Sequence, residues 1–525
     1  MNCCILSVLL LFISGDAYKI LVYSNLFGHS HIKFLATVAD ILTDSGHDVT
    51  VLMPVIDVSQ RNKTGLKSTK KQLFVEADED VTSQFTETDK YMEGIWTADT
   101  ADPMEIYMNS GGLARLLGTQ CKKVMKSRSL LEQLKAEKFD LAITDPFDSC
   151  AYYIFEHLEI PAHVSVLVST RMEHVMNAFG VPAAPSYVPS AQSVYGDRMS
   201  IWERFMNFLL GKAAESVFVG VGDFEQESAQ EILGVTRSWR DILAESSFLL
   251  VNQIPILSFP SPTFDKIIPI GGMTVRTQKQ NIQLSEKWDS ILSKRPRNVL
   301  ISFGSNVKSV DMPENVKNSL LTVFRSMPDT SFIWKYENSS HQLTRGIPNV
   351  HVEPWLPQNE LLADPRLDVF ITHGGISSVM ELAMMGKPAV VVPIFADQAR
   401  NAEMLKRHGG VEILDKRELG SVELLQKTLK KVLNNPVYRE NAKLLAEKMR
   451  NQPTNQRETL IRHVEFAARF GKLSSMDPIG RRQSLIEYYL LDVILILGSL
   501  LFVSSSFLFN FSHFLLQVFK LFREK

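Results

Sequence analysis

Residues 355–401 read WLPQNELLADPRLDVFITHGGISSVMELAMMGKPAVVVPIFADQARN, and the alternation of apolar and polar blocks in this stretch decides the architecture. Its segment 367–372, LDVFIT, is a short run rich in β-branched and aromatic residues, the pattern of a strand buried on both faces of a parallel sheet. The run stops at His373-Gly374-Gly375. Ile376, Val379, Leu382 and Ala383 then recur at helical spacing, and Gly386 stands where a left-handed residue closes a helix. Lys387-Pro388 leads into a second apolar run, 389–393, which delivers Phe395-Ala396-Asp397-Gln398. Strand, glycine turn, helix, strand is the parallel α/β unit, whose ligands gather at the carboxyl ends of strands.

The turn has its own chemistry. A glycine pair lets a ligand approach the backbone, and the free N–H groups of the helix that follows attract an anion. Ser377 and Ser378 add hydroxyl donors, and His373 stands beside them. Glu381, one to two turns in, offers an acceptor to a ribose diol, while Asp397 and Gln398 reach the same crevice from the next strand. Phosphate, ribose and a polyhydroxylated group in a row describe a nucleotide sugar. His-Gly-Gly alone reads first as a tight turn, since three fixed residues are a weak motif. The wider set is more specific: Trp355, Pro357, Gln358, His373, Gly374, Gly375, Ser378, Glu381, Gly386, Pro388, Pro393, Asp397, Gln398 and Asn401. Together they closely resemble the signature of the UDP-glycosyltransferase family, which includes membrane-bound glucuronosyltransferases and glucosyltransferases of animals.

The first half supplies a second βα unit. Residues 19–25 and 48–53 read as strands, and Ile32, Leu35, Val38, Ile41 and Leu42 mark one face of the helix between them. Ser30 suits its N-cap and Gly46 its end, which sets His31 at the first helical position. The positive end of a helix lowers the pKa of a histidine held there, so His31 is expected to stay neutral near pH 7, as a general base must. A capping histidine bonded to backbone is the plain alternative. Asp145, at the end of the strand 139–144, reads as an Asx turn before Pro146 or as a partner for that base. The family resemblance favours the second reading: Asp145 orients His31, and His31 takes the proton of an acceptor hydroxyl.

After the proline-rich stretch 259–272, another strand, 298–303, ends at Gly304-Ser305, a turn where backbone N–H groups can meet a phosphate. The resemblance places Trp355 beneath a flat base and Gln358 on its edge. It implies a GT-B α/β architecture of two Rossmann-like doubly wound parallel-sheet domains plus a C-terminal transmembrane helix. The expected boundaries are a signal peptide at 1–17, an acceptor-binding domain at 18–258, a linker at 259–272 and a UDP-sugar-binding domain at 273–470. A juxtamembrane segment at 471–487, a transmembrane helix at 488–510 and a cytosolic tail at 511–525 complete the order.

Composition narrows the class. The 525 residues are long enough for two or three domains, and 56 basic against 58 acidic side chains give no nucleic-acid footprint. The apolar run near the start reads as a signal peptide, although it carries no Lys or Arg before its core. The run at 488–509 has the length of a bilayer span, with Asp492 and several serines inside it. These features imply a single-pass type I membrane protein with its body in the lumen, and the family resemblance implies that the membrane is that of the endoplasmic reticulum and that the body is catalytic. There Asn62 and Asn338 are glycosylation acceptors, and Cys121 and Cys150 are either bridged or two buried thiols.

The expected reaction is inverting transfer of glucose or glucuronate from a UDP-sugar to a hydroxyl of a small lipophilic acceptor. Its partners are the UDP-sugar, the acceptor and the membrane, and self-association into a homo-oligomer is compatible with the sequence. No metal or cofactor is expected, because no cluster has metal-ligand spacing. Position 252, where glucuronosyl members tend to carry an arginine, holds Asn252, which leans the donor toward glucose. A sterol or lipid glycosyltransferase and an inactive lipophile-binding protein are the alternatives.

Overall fold

A computed structural model of the chain describes residues 17–108, 110–275, 284–338 and 343–524. The apolar leader expected at 1–17 lies outside the described residues except for Ala17.

Two parallel sheets carry the fold. The first is seven-stranded, from β1 (Lys19–Tyr23), β2 (Asp48–Pro54), β3 (Lys71–Val75), β4 (Leu141–Thr144), β5 (His163–Leu167), β6 (Leu249–Val251) and β7 (Ile267–Pro269), in the order 3-2-1-4-5-6-7. The second is six-stranded, from β8 (Arg297–Ser302), β9 (Thr330–Lys335), β10 (Val350–Glu353), β11 (Val369–Thr372), β12 (Ala389–Val391) and β13 (Val411–Ile413), in the order 10-9-8-11-12-13. Both orders reverse direction beside their first strand, between β1 and β4 and between β8 and β11. Such a reversal parts the flanking connections and opens a crevice at the carboxyl ends of the strands.

Side-chain alternation explains why these sheets are covered on both faces. Ile20 and Val22 belong to one core and Leu21 and Tyr23 to the other. Phe370 packs on one side of the second sheet, and Val369 and Ile371 on the opposite side. Each such residue stabilises the fold by roughly 1.5–3 kcal/mol through burial, and a one-residue slip in register would exchange the two cores. Thr372 pairs with Ser302 on one side and Val391 on the other, so β8, β11 and β12 end level. Tyr23 pairs with Thr144, which aligns the exits of β1 and β4 in the same way.

Three boundaries differ from the sequence reading. The stretch 259–272 does more than link, because Ile267–Pro269 within it hydrogen-bonds to β6 as the edge of the first sheet. The helix Gln456–Phe470, expected with the second domain, puts Leu460, Val464 and Ala467 into the core of the first, beside Ile20 and Val22. Its apolar residues are spaced for one helical face, but their target is a tertiary choice that periodicity does not encode. The terminal helix runs from Leu491 to Arg523 without a break, so it absorbs most of the tail expected at 511–525. It is long and apolar enough to cross a membrane.

Candidate active site

The helix His29–Asp44 begins two residues earlier than expected. Gly28, at φ 74°, takes the cap position instead of Ser30, and His31 becomes the third helical residue. His31 Nδ1 lies 2.5 Å from Asp145 Oδ2, across the gap between the loops that leave β1 and β4. Burial pulls the His31 imidazole down, but the charge of Asp145, its hydrogen bond and the charge of Asp397 outweigh it and leave the pKa raised. The expectation of a lowered pKa is corrected: a carboxylate in contact exceeds the partial charge of a helix end. His29 is not the partner of Asp145. Its ring meets Trp355 edge-on at 5.5 Å, and burial together with Lys33, Lys63 and Lys335 holds its pKa below the usual value.

Phe147 stands 5.0 Å from the His31 ring and continues through Phe218 and Phe27 as an aromatic wall. A helix of 33 residues, Ile201–Leu233, contributes Phe218. Behind the wall Cys121 and Cys150 are joined by a disulfide, which ties the helix Ser110–Lys126 to the helix that follows Asp145. Of the two alternatives for these cysteines, the bridge is the one found.

The second crevice is a cleft of about 650 Å³ between the halves, with His29 and Lys33 on one wall and Ser305, Lys335, Trp355, Gln358, His373, Gly375, Ser378, Glu381 and Gln398 on the other. Gly375 caps the helix Ile376–Met385 without a side-chain acceptor, so its first N–H groups remain available to a ligand. The His373 ring fills the space between two loops. A Cβ on Gly375 would come within 2.6 Å of His373 Nε2 and one on Gly304 within 2.7 Å, so a side chain at either position would displace the ring. Gly304, at φ +88°, and Gly374, at φ +86°, also need the left-handed region. Burial and the charge of Lys335 push His373 down to about 4. It is therefore an uncharged hydrogen-bonding group at neutral pH.

Trp355 is 61% exposed and so is not a core tryptophan. Lys335 Nζ lies 6.0 Å from its ring. Gln358 donates to Glu381 Oε2 at 2.6 Å and to Ser378 Oγ at 3.1 Å. Glu381 also accepts from Asn359 at 2.9 Å and from Lys33 at 3.3 Å, the latter reaching over from the first half. Gln398 Oε1 accepts the Ile394 and Phe395 N–H groups. Asp397 follows Ala396, whose φ of 54° is unusual for a residue with a side chain. Burial raises the Asp397 pKa, opposed by Asn401, Arg400 and His31, so the dyad and the Asp397 corner are electrostatic neighbours although His31, Asp145 and Asp397 do not line the cleft itself.

The sequence reading does not single out Lys33, Lys335 or Asn359, although Lys33 is two residues past His31, Lys335 ends β9 and Asn359 adjoins Gln358. Arg400 was missed as well. It is 2% exposed, donates to Thr170 Oγ1 at 2.6 Å and to the Pro189 carbonyl at 3.2 Å, and pins the halves together beside Asp397. Asn252 is buried and donates to the Val168 carbonyl at 3.0 Å, away from the cleft. Among the described residues no group of three or more His, Cys, Asp or Glu is arranged to hold a metal ion.

Residues 18–525 match the family described as UDP-glucoronosyl and UDP-glucosyl transferase. The chain is 30% identical to UDP-glucuronosyltransferase 3A1 of Bos taurus, covering 92% of this chain and 90% of the relative. It is 29% identical to the putative UDP-glucuronosyltransferase ugt-56 of Caenorhabditis elegans, covering 86% of each. Among solved structures, Phytolacca americana UGT2 complexed with UDP-2fluoro-glucose and pterostilbene aligns with a TM-score of 0.56 at 17% identity, over 86% of this chain and 100% of that one. TcCGT1 in complex with UDP aligns with a TM-score of 0.56 at 13% identity, over 86% and 99%. At these identities the two structures speak for the fold, the two-Rossmann GT-B architecture.

Proposed function

This chain belongs to the UDP-glucuronosyl and UDP-glucosyl transferase family, a family of hexosyltransferases, and from that premise we propose that it moves a sugar from a UDP-sugar to the hydroxyl of a small lipophilic acceptor, with inversion at the anomeric carbon. The observation that carries the mechanism is the His31–Asp145 contact at the first crevice, electrostatically coupled to Asp397 at the edge of the second. With Nδ1 held by Asp145, Nε2 of His31 is the free nitrogen and receives the acceptor proton as the oxygen attacks. Asp145 stabilises the imidazolium that forms. The aromatic wall of Phe147, Phe218 and Phe27 suits an apolar acceptor.

On the donor side, Trp355 stacks the uracil and Gln358 meets its edge. Glu381 takes the ribose, exchanging its Lys33 contact for the diol. Ser305, Ser378, His373 and the amide groups that follow Gly375 meet the diphosphate, whose charge grows as the bond breaks. Asp397 and Gln398 hold sugar hydroxyls. No metal or cofactor is assigned a role, because Lys335 and the helix N-terminus supply the positive potential and His373 adds an uncharged hydrogen-bonding group. Glucose is proposed as the preferred sugar, on the ground that position 252, where glucuronosyl members tend to carry an arginine, holds the neutral Asn252.

The body is proposed to face the lumen of the endoplasmic reticulum, anchored by the Leu491–Arg523 helix. An oxidised Cys121–Cys150 pair and an exposed Asn62 sequon suit that compartment. Asn338, also exposed, is the second proposed glycan site; the Ser339 and Ser340 of its sequon lie outside the described residues. The test is a panel of UDP-glucose and UDP-glucuronate against phenols and sterols in microsomes, for wild type and His31→Ala. UDP-glucose turnover on a phenol, lost in His31→Ala, is expected. UDP release that survives His31→Ala unchanged would contradict the mechanism, and preference for sterols would move the acceptor to membrane lipids.

A further inference from the structure

A short segment of the first half is built into the core of the second. Ile95 and Trp96 follow the helix Glu79–Gly94, yet they are 1% and 4% exposed within the cluster that holds Phe303, Val307, Met312 and Ile394. The Trp96 ring meets Phe303 edge-on at 5.1 Å, and its Nε1–H donates to the Lys308 carbonyl at 3.2 Å. Four residues on, the Thr100 hydroxyl donates to the Ile394 carbonyl at 2.9 Å. Lys416 then clamps the two partners together, donating to the carbonyls of Ile95 at 2.8 Å and Ile394 at 3.0 Å.

The loops so gripped are the two that shape the donor side. Residues 303–308 follow β8 and carry Gly304 and Ser305; residues 394–397 follow β12 and carry Asp397. The other end of the segment belongs to the acceptor side. Val81, on the preceding helix, joins Ala114 and Leu117 of Ser110–Lys126 and Val221 of Ile201–Leu233 in a small core against Phe27 and Phe147, and Phe147 abuts His31. Burial of Ile95 alone would be ordinary packing. Three separate donors that join the segment to the loops of the second half fix a register instead, because each of these part-buried N–H, hydroxyl or ammonium groups loses a partner if the segment shifts.

We propose that residues 95–100 are a strap that couples the donor cleft to the acceptor wall, with Trp96 and Lys416 as positioning residues. Resting on the reading that a UDP-sugar occupies the second half, it works as follows. A diphosphate seated on Gly304 and Ser305 fixes the 303–308 loop, the loop fixes Trp96, and Trp96 fixes the helices that face His31. Donor occupancy therefore tightens acceptor binding, and by linkage the acceptor tightens the donor by the same factor.

The experiment uses the full chain in detergent, with UDP as the donor-side probe and 1-naphthol as the acceptor-side probe. Each affinity is measured alone and with the other probe saturating. In wild type, UDP is expected to tighten 1-naphthol binding by about fivefold or more, with the reciprocal factor equal. Trp96→Ala and Lys416→Met should bring that factor to near one while both probes still bind, and Trp96→Phe, which keeps the ring, should restore part of it. A merely structural role would lower both affinities and leave their ratio alone. Should Trp96→Ala fail to fold, Lys416→Met and Thr100→Val decide. A coupling factor near one in wild type, or one unchanged in folded Lys416→Met and Thr100→Val, would overturn the strap while leaving the transferase reading intact. Failure of UDP to bind wild type would instead remove the reading on which it rests.

Discussion

The two halves of the molecule share one topology and each sets a histidine beside its reversal of strand order, His31 after the first strand of its sheet and His373 after the fourth, and they prepare the two for opposite work. At the first reversal of strand order His31 touches a carboxylate at 2.5 Å and its pKa is raised. At the second, His373 lies between two glycine loops with Lys335 nearby, and burial and that charge push it down to about 4. The first is a group ready to accept a proton; the second stays uncharged beside the seat of an anion. A place beside the reversal does not by itself decide which work a histidine does. The residue that leaves the neighbouring strand does: Asp145 after β4, and Gly304 after β8.

The sharpest way to break this comparison is to remove the first histidine. His31→Ala is expected to lower kcat by about 10²–10⁴-fold with UDP affinity unchanged, checked by initial rates beside a calorimetric UDP titration. A loss of UDP binding with turnover preserved at saturating donor would exchange the roles of the two sites. Next comes Gly375→Ala. Its Cβ would lie 2.6 Å from His373 Nε2, so the ring must move, and the loss of a hydrogen bond to a charged ligand predicts a donor affinity weaker by about 10–100-fold. The KM for UDP-glucose, compared with kcat, reads this directly.

Smaller effects sharpen the donor side. Trp355→Ala should raise the donor KM by about tenfold through lost base stacking, and Trp355→Phe should recover most of it. An unchanged KM would mean that the exposed indole serves some other surface. Lys33→Met removes an ion pair whose lysine is 37% exposed, so a change in donor affinity of no more than about threefold is expected. Isothermal titration with UDP measures it, and a large loss would make Lys33 a donor ligand instead of a competitor for Glu381.

Much of this arrangement was legible in the sequence where the physics is local. The apolar run before His373, the glycine pair and Gly386 demanded strand, turn and helix termination, and the structure has each of them, because buried parallel strands and positive-φ positions leave direct marks on residue choice. What escaped was non-local. Asp145 is 114 residues from His31 and was paired with it only through family resemblance; its proximity is also what reversed the expected direction of the His31 pKa. Lys33, Asn359 and Arg400 act across the cleft or on a neighbouring helix. Trp96 reads as an ordinary aromatic until the fold delivers it to Phe303. The strand Ile267–Pro269 was hidden inside a proline-rich stretch, where the punctuation of a linker and of an edge strand look alike.

The pH dependence of kcat/KM for wild type and Asp145→Asn, with UDP-glucose and a phenol acceptor, tests the dyad most directly. A base must be deprotonated, so activity rises with pH through the His31 pKa; because Asp145 raises that pKa above its ordinary 6.5, the wild-type acid limb should lie above 6.5. Asp145→Asn removes the charge and should move the limb to lower pH while slowing the reaction. Identical limbs in the two proteins would show that Asp145 does not set the basicity of His31, and the assignment of the first crevice would fail.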